Sequence, residues 1–480
     1  MNYKHIALAT SLLSGLLVAG CGDSDSGIPF GGNTGTNPAN PIAAPTAGNL
    51  AFSVLGSSST TATAANGILS VGNPNTATVV NVQSPTTRGG TITANADGSF
   101  TYNAPALGNT TDTFSYTIQN AGGNSTGTAT VTLLGRGFFV NNQAAPGGTG
   151  TQAAPFQTLA QGVGAAAGVS GAEILVARGS GAAYADTVTL SNNQVLRAQD
   201  TSTAPLLGGT VTVGSNCTLN ALSFQNSPTA AIIASGVTGG TFSNLTITSP
   251  GTDGIAMTNP NGSLTVRNVQ IANVGAGAAG QCFPLITSTS VNVAIDNVTA
   301  SNINRAIFLG NVSGAATVNE SVSNSAANIA ANSIDWTING TSNVTLSATN
   351  INQSAGSSGV SFLCFDNTRT AALLNNLNIT NCTAEGIFLV ASNTSILKSR
   401  LQNSRLTGNG NGGYEISSSE TSQACLRLTN NTSDRYRFFQ FDNSTLTVEN
   451  FPSLTTENTG VSQVQVGTVT SVAVGNCQIP

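Results

Sequence analysis

The chain has little charge for its length. Only 7% of its 480 residues are Lys, Arg, Asp or Glu, compared with about 25% in ordinary soluble proteins. The formal net charge is −5 and no run of basic residues occurs, so nucleic acid is not an expected partner. Gly, Ser, Thr, Asn and Ala supply the polarity instead. Alternating Val, Ile and Leu residues supply surface that can be buried, which favours a β-rich fold over disorder.

Long apolar runs are also missing after the first 20 residues. None approaches the roughly 18 residues that a membrane-spanning helix needs, which excludes a bundle of such helices. The N-terminus has Lys4 followed by an apolar stretch from Ile6 to Val18. A stretch this short that ends in small residues predicts that residues 1–20 are a signal peptide rather than an anchor helix.

The end of this segment reads Leu-Val-Ala-Gly-Cys and finishes at Cys21. It resembles the lipobox of bacterial lipoproteins, which implies that Cys21 is acylated and ties the mature chain to membrane lipid. The alternative is a plain secretory signal with a chance cysteine. Because Gly22 rather than Asp follows, the resemblance implies the outer membrane of a Gram-negative bacterium and the cell surface. Residues 21–44, rich in Gly, Asn, Pro, Ser and Thr, are predicted to be a flexible tether.

Removal of the signal peptide would also remove His5, the one histidine of the chain. The mature protein would then lack His-dependent catalytic triads, His-ligated zinc and most general bases that work near neutral pH. Six cysteines would remain besides Cys21, an even number that suggests disulfides in an exported chain without choosing among fifteen pairings. We expect one bridge between Cys425 and Cys477, because it would limit fraying near the C-terminal end. No CxxC spacing occurs, so no metal site is predicted.

Residues 45–134 alternate between apolar and polar side chains. The clearest runs are Gly90–Ala94, Gly98–Tyr102 and Asp112–Ile118. Such runs, joined by tight Gly-containing turns, predict antiparallel hairpins and a small β-sandwich. The GTIT, DGSFTY and DTFSYT segments resemble the cadherin-like or Ig-like modules of bacterial surface proteins, many of which bind calcium between clustered acids. Here Asp97 and Asp112 are the acids that remain, so no cofactor is expected, with calcium as the alternative, and the module is interpreted as a spacer.

Residues 137–480 are predicted to form a right-handed parallel β-helix. After Ala-Pro-Phe-Gln-Thr-Leu, which ends at Leu159, apolar residues recur at helical spacing, which predicts a helical cap at about residues 156–168. This opening and the strands that follow it resemble the start of pectate-lyase-type β-helices. In these proteins the helix covers the open apolar end of the stacked coils.

Two patterns then recur in step. One is x-Gly/Ala-Ile-x-Leu/Met, as at Asp253–Met257 and Glu385–Leu389, and the other is apolar-x-Asn-apolar-x-Ile, as at Phe242–Ile247. Their joint period near 26 residues describes eight or nine coils of two or three short strands, stacked about 4.8 Å per turn. A leucine-rich repeat is the alternative, but its Leu-x-x-Leu-x-Leu line is absent. The whole chain is therefore predicted to be all-β.

The Asn of the second pattern is predicted to lie at a bend between two strands and to bond to the Asn of the next coil. The members of this structural ladder are Asn244, Asn268, Asn297, Asn376 and Asn403. Within it, Asn268 and Asn297 are expected to be neighbours, as are Asn376 and Asn403. Residues 425–480 are interpreted as the closing coil and C-terminal cap, with a terminal hairpin formed by Val464–Val466 and Val469–Val472.

No catalytic constellation stands out. The β-helix resemblance points to polysaccharide lyases and pectin hydrolases, but the paired Asp, the His motif and the Arg-Ile-Lys motif of polygalacturonases are missing, and the acids are scattered about one per coil. Arginines, acids and tyrosines instead gather in the C-terminal third, where they could hold an acidic sugar. The candidate glycan-binding residues are Arg400, Arg405, Tyr414, Glu415, Glu420, Arg435, Tyr436 and Arg437. The alternative is a mixed-charge cap that keeps the end of the rod from pairing with another rod.

The sequence therefore supports two hypotheses of function. The first is a monomeric, lipid-anchored surface rod that binds or displays without catalysis, with glycans or surface proteins of cells or matrix as partners. The second is a surface polysaccharide lyase or glycoside hydrolase, which rests on the fold resemblance alone.

Overall fold

The computed structural model of the chain describes residues 42–274, 280–303, 306–328, 332–459 and 462–478. The predicted signal peptide, Cys21 and most of the predicted tether lie outside these residues. The described part is nearly all β, with α-helices at Leu159–Ala166 and Leu454–Glu457 and short 3-10 turns at Ala64–Asn66, Ile68–Ser70 and Phe451–Ser453. None of its helices is long and apolar enough to cross a membrane.

The N-terminal module is a β-sandwich, as predicted. Its strands are Thr46–Ala47, Leu50–Gly56, Ser59–Ala62, Gly72–Asn73, Thr78–Val82, Thr91–Ala94, Phe100–Asn103, Thr110–Asn120 and the first part of Gly123–Val140. The two longest, Thr110–Asn120 and Gly123–Val140, pair antiparallel. Their inward residues meet those of the facing three-stranded sheet, so that Tyr102, Phe114 and Tyr116 are buried together.

One strand joins the sandwich to the β-helix without a break. The strand Gly123–Val140 pairs with the sandwich as far as Arg136, which lies opposite Gly56. From Gly137 onward the same strand pairs in parallel with Glu173–Val176, the first strand of the coil stack. The predicted boundary at residues 134–137 therefore lies within a continuous strand rather than in a linker.

The β-helix has one sheet to which each coil contributes a separate strand, here called sheet I. Within the described residues it contains twelve strands, and the neighbours pair in parallel. Their bounds are Val188–Thr189, Val211–Thr212, Ile232–Ser235, Ile255–Thr258, Phe283–Thr287, Ala306–Val312, Asn332–Ile338, Val360–Cys364, Glu385–Ala391, Gly412–Ser418, Arg435–Gln440 and Ser462–Val466. The predicted parallel β-helix is confirmed, with more coils than the eight or nine expected.

The rest of each coil runs through a bend that separates two further parallel sheets, called sheet II before the bend and sheet III after it. In the earlier coils one long strand spans both sheets, and in the later coils two strands do so. The bounds are Glu173–Val176, Val195–Ala198, Leu206–Leu207, Cys217–Gln225, Thr238–Thr248, Asn261–Val274, Val291–Ile303, Thr317–Ser323, Ala326–Asn328, Asn343–Thr349, Asn352–Ser354, Arg369–Asn375, Asn378–Thr380, Ile396–Gln402, Arg405–Thr407, Gln423–Thr429, Thr432–Ser433, Thr445–Glu449 and Val469–Val472.

The bend between sheets II and III is made by asparagines in the left-handed conformation. All five predicted ladder residues lie there with φ between 53° and 56°. Asn324, Asn350 and Asn430, which were not predicted, occupy the same bend in other coils and also have positive φ. Asn268 donates to Asn244 and Asn297 donates to Asn268, each at 2.9 Å. Asn is one of the few residues besides Gly that tolerate this conformation, which explains its recurrence.

The ladder is not continuous: Asn376 and Asn403 lie on adjacent coils, as predicted, but the side-chain bond expected between them is replaced. Asn376 donates to Asn350, whereas Asn403 donates to Asn375, the residue just before the bend, at 3.0 Å. The same one-residue shift occurs earlier, where Asn324 donates to the carboxylate of Asp296. In both places the acceptor side chain comes from the end of the sheet II strand, so that adjacent coils stay bonded although the series of bend amides is interrupted.

Substitutions of Asn268 separate the two contributions of a ladder residue to stability, its side-chain hydrogen bonds and its tolerance of positive φ. Asn268→Ala removes its bonds to Asn244 and Asn297 and places a Cβ-bearing residue without a polar side chain at a φ of 54°. We expect it to lower the free energy of unfolding by about 2 kcal/mol. Asn268→Gly loses the same bonds without conformational strain and is expected to cost less. Denaturant unfolding of both variants measures the difference, and equal losses would contradict a conformational role.

The N-terminal cap is a helix, as predicted, although it is shorter than residues 156–168. It spans Leu159–Ala166, and Thr158 and Gln161 form a reciprocal capping box at its start. Its apolar side buries Leu159 and Val163 in the coil core, and Gly162 lies close to Val140. The helix therefore covers the first strands of the coil stack.

The C-terminal end differs from the prediction in one respect. Ser462–Val466 pairs in parallel with Arg435–Gln440 in sheet I, whereas Val469–Val472 pairs in parallel with Thr445–Glu449 in sheet II. The two segments therefore continue the coil and do not form the expected terminal hairpin. A disulfide joins Cys425 to Cys477 with a Cα–Cα distance of 5.3 Å, which is the pairing that was predicted.

Candidate functional site

The structure does not bring the eight predicted glycan-binding residues together. Tyr414 and Tyr436 are 0% and 2% exposed, and their rings lie 6.4 Å apart inside the coil core. Burial raises the pKa of both phenols. Both residues align in register with Ile387 of sheet I, a position that is buried in the eleven sheet I strands up to Arg435–Gln440. Neither tyrosine can contact a ligand, so this part of the prediction is wrong.

The arginines and Glu420 lie on different faces of the rod. Arg400 is on the outer face of sheet II, in the strand Ile396–Gln402, while Arg405 begins the sheet III strand Arg405–Thr407. Glu420 occupies a turn with a φ of 59°, and Arg435 is the first residue of a sheet I strand. A single ligand cannot touch all of them, since the three sheets face different directions.

Two of the predicted residues do meet, together with one that was missed. Glu415 and Arg437 lie opposite each other on neighbouring strands of sheet I, and Glu415 Oε2 is 2.6 Å from Arg437 Nη1. Glu385, one coil earlier, places its Oε1 3.5 Å from the same nitrogen. Because Glu385 Oε1 and Glu415 Oε2 contact the same nitrogen, these two oxygens lie no more than about 6 Å apart.

These carboxylates are only slightly exposed and are held in place by neighbours. The side chain of Glu415 is 11% exposed and that of Arg437 is 24% exposed. Asn411 donates to Glu385 Oε1 at 2.8 Å, and its carbonyl accepts from Arg437 Nη1 at 3.4 Å. Burial raises the pKa of Glu415; Arg437 opposes this rise and the Glu385 charge adds to it. The cluster is a fixed hydrogen-bonding surface with one carboxyl that gains a proton more readily than usual.

Aromatic rings adjoin this cluster on the outer face. Tyr436 and Phe438 point inward, so Arg437 and Phe439 point outward by the two-residue alternation of a strand. Phe441 follows the end of the strand and is also on the surface. The Arg437 guanidinium carbon is 5.1 Å from the centroid of the Phe439 ring. The Phe439 and Phe441 rings are 6.2 Å apart with planes 8° from parallel, and Phe441 is 45% exposed.

The set is called the sheet I patch and comprises Glu385, Asn411, Glu415, Arg437, Phe439 and Phe441. Flat rings beside fixed carboxylate, amide and guanidinium groups can stack on the apolar face of a sugar ring and bond to its hydroxyls. Because Tyr436 is a core position, Arg437 points outward, and counting by two from Arg437 would have found Phe439 and Phe441. No sequence pattern identified Glu385 or Asn411 as part of the site, because their contacts with Arg437 depend on how the coils stack.

The acids of the sandwich have separate structural roles. The Asp112 carboxylate accepts from the hydroxyls of Thr86, Thr87 and Tyr102 and from the backbone N–H groups of Arg88 and Thr113. The Asp97 carboxylate accepts from Ser99. Within the described ranges, no group of three or more His, Cys, Asp or Glu side chains is arranged to hold a metal ion.

Comparison with known protein families supports the Ig-like fold of the N-terminal module. A family model described as Bacterial Ig domain matches residues 40–133. No curated protein matches the chain.

Two solved structures share a distant likeness with about four fifths of the chain. One is the catalytic unit of a thermostable GH87 alpha-1,3-glucanase from Streptomyces thermodiastaticus, at 13% identity and a TM-score of 0.33, covering 79% of this chain and 75% of that chain. The other is a family 28 exopolygalacturonase from Yersinia enterocolitica, at 11% identity and a TM-score of 0.19, covering 78% and 85%. Likeness this low carries no argument about activity, and the fold rests on the strand pairing. The chain thus consists of a bacterial Ig domain at residues 40–133 followed by a parallel β-helix.

Proposed function

We propose that the chain is a non-catalytic glycan-binding module, exported and lipid-anchored through Cys21 at the cell surface, with the sheet I patch as its contact site. The observation that carries this proposal is the pair of outward rings, Phe439 and Phe441, beside two carboxylates that share one guanidinium. Fatty-acid labelling of the chain and of Cys21→Ser tests the anchor, and label that persists in the variant would contradict it.

The charges of the patch favour a neutral sugar over an acidic one. Glu385 and Glu415 contribute two carboxylates against the single guanidinium of Arg437. An anionic ligand would be repelled by the excess negative charge of this site. Sugar hydroxyls, in contrast, can donate to the carboxylates and accept from Arg437 and Asn411. The ligand class is therefore changed from the acidic sugar first expected to a neutral glycan.

Removal of the Phe439 ring is the direct test of the patch. A glycan array first identifies a glycan that the wild-type chain retains, and titration calorimetry then compares the variants. We expect Phe439→Ala to weaken binding about tenfold, because ring stacking and the apolar contact contribute about 1 to 2 kcal/mol. Ile286→Ala is the matched control, since Ile286 is 49% exposed and lies in the same outward column of sheet I far from the patch. Equal affinity of Phe439→Ala and wild type would contradict the proposal.

A glycoside hydrolase is the second candidate, and one observation favours it. Glu415 and Glu385 lie within about 6 Å of each other, and a catalytic acid needs a raised pKa such as that of Glu415. Against this candidate, both carboxylates are engaged by Arg437, and Asn411 also binds Glu385. Under this alternative Glu415→Gln would abolish cleavage of the retained glycan, whereas under the binding proposal no cleavage occurs in either protein.

A further inference from the structure

Three connected cavities lie along the outer face of sheet II, a face separate from the sheet I patch. Their volumes are about 360, 460 and 280 Å³. The first two share Ser263 and Thr265, and the last two share Thr345. Together they form one open trough, here called the sheet II trough, that runs from Asn216 to Lys398.

The trough runs along the axis of the rod because its floor is built from columns of residues in register. One column contains Ser263, Asn292, Asn319, Thr345, Ala371 and Lys398. A parallel column contains Thr218, Thr241, Thr265, Ala294, Ser321 and Ser347. At about 4.8 Å per coil, the length is roughly 30 Å. Hydroxyl and amide groups repeated over this length suit an extended polymer better than a compact small molecule.

The C-terminal end of the trough is positively charged. Arg369 and Lys398 line it, and Arg400 follows Lys398 two residues later on the same outer face. Among the described residues these three cations form no ion pair, while Arg427 in the next coil is paired with Glu449 and Glu457. Arg427 holds both of these carboxylates, and the three groups together keep one negative charge. Arg369, Lys398 and Arg400 thus have no acidic partner in the described part of the chain, and an anionic ligand can supply one.

The C-terminal tail closes this end of the trough. Cys425 follows Lys398 in the same outward column, and its disulfide to Cys477 holds the tail across the outer face of sheet II. Lys398 Nζ donates to the carbonyl of Gln478 at 2.7 Å, and Glu449 accepts from the backbone N–H of Cys477 at 2.6 Å. A polymer in the trough would thus lie along the rod and end beside the cations, against the tail.

We propose that the sheet II trough binds an extended anionic polysaccharide, in addition to the neutral glycan assigned to the sheet I patch. The polar columns contact the chain of sugars, and Arg369, Lys398 and Arg400 contact its carboxylate or sulfate groups. The two surfaces belong to different sheets, so each can be removed without the other.

The test measures retention of the full chain on three immobilised polymers: dextran sulfate, hyaluronate and uncharged dextran. We expect retention on one or both anionic polymers, which distinguishes sulfate from carboxylate recognition, and none on dextran. The double variant Lys398→Ala with Arg400→Ala is expected to bind at least tenfold more weakly, and raising the NaCl concentration is expected to weaken wild-type binding. Arg405→Ala is the matched control, because Arg405 is an exposed arginine on sheet III.

Three outcomes with the immobilised polymers would overturn the proposal. They are undiminished binding by the double variant, an equal loss with Arg405→Ala, and equal retention on uncharged dextran. Stronger binding of single-stranded DNA than of either polysaccharide at the same charge would also overturn it in favour of a nucleic-acid surface. Phe439→Ala should retain dextran sulfate or hyaluronate normally, so that failure of the sheet I patch and failure of the trough give different results.

Discussion

Glu320→Gln is expected to remove most of the pH dependence of stability between pH 5 and pH 8. Glu320 lies on the strand Thr317–Ser323 and points into the core, in register between Val293 and Leu346. It is 5% exposed, and its Oε2 has no hydrogen-bond partner among the described residues. Burial raises its pKa from the usual 4.5 to about 8. The folded protein therefore holds this proton at neutral pH.

The sign of the effect follows from the proton count. Between pH 4.5 and about 8, the folded state keeps the Glu320 proton and the unfolded state releases it, so unfolding becomes easier as pH rises. The stability that the protonated carboxyl contributes is fully present below pH 4.5 and falls progressively up to about pH 8, by on the order of 4 kcal/mol. Denaturant unfolding at pH 5, 6, 7 and 8, followed by fluorescence of Trp336, measures this decline.

The control for Glu320 is the same substitution at an exposed site. Glu420→Gln changes a carboxylate that faces solvent and should leave the pH profile unchanged. Glu320→Gln keeps the shape of the side chain and cannot ionise, so its profile should be nearly flat over this range. A wild-type stability that is constant from pH 5 to pH 8 would show that Glu320 does not hold its proton in the folded state.

Gly310→Ala is expected to lower the free energy of unfolding by about 3 kcal/mol, the upper end for overpacking of a closed core. Gly310 lies opposite Trp336 on the next strand of sheet I, and Trp336 is fully buried. A Cβ at residue 310 would overlap atoms of the indole ring. The ring must move within a packed core, so the fluorescence of Trp336, the one tryptophan of the chain, should shift as the midpoint of thermal unfolding falls.

A second Gly→Ala change provides the contrast. A Cβ at Gly164 in the cap helix would meet nothing within 4 Å, and Ala is a better helix former than Gly by about 1 kcal/mol. Gly164→Ala should therefore maintain or raise the unfolding midpoint and leave the Trp336 spectrum unchanged. A Gly310→Ala protein as stable as wild type would contradict the close packing of Gly310 against Trp336.

Much of the fold was predictable because the coils repeat the same bend and therefore need similar residues at the same positions. The left-handed bend needs a residue that tolerates positive φ, and Asn268 and Asn297 meet that demand visibly in the sequence. The number of coils was underestimated because the first sheet I strands, Val188–Thr189 and Val211–Thr212, have only two residues each. The terminal hairpin was wrong because Val464 and Val469 belong to different sheets, and local alternation alone does not distinguish a turn from a coil corner.

The candidate site was less predictable because nearness in sequence does not give the direction of a side chain. Tyr414 follows Gly413 as Ile387 follows Gly386, so the repeat itself places this tyrosine in the core. The repeat also places Glu415 outward, one residue later, where it meets Arg437. Glu385 joins them from a third coil, and this contact depends on the register between coils, which composition and spacing do not fix.

The central claim is that the sheet I patch binds a glycan without cleaving it. The most direct measurement incubates the wild-type chain and its Glu415→Gln variant with the glycan retained on the array and follows new reducing ends by chromatography. The account predicts that the glycan is recovered intact from both proteins, with affinity reduced about tenfold by Phe439→Ala. New reducing ends that form with the wild-type chain and disappear with Glu415→Gln would contradict it and identify the patch as a hydrolase active site.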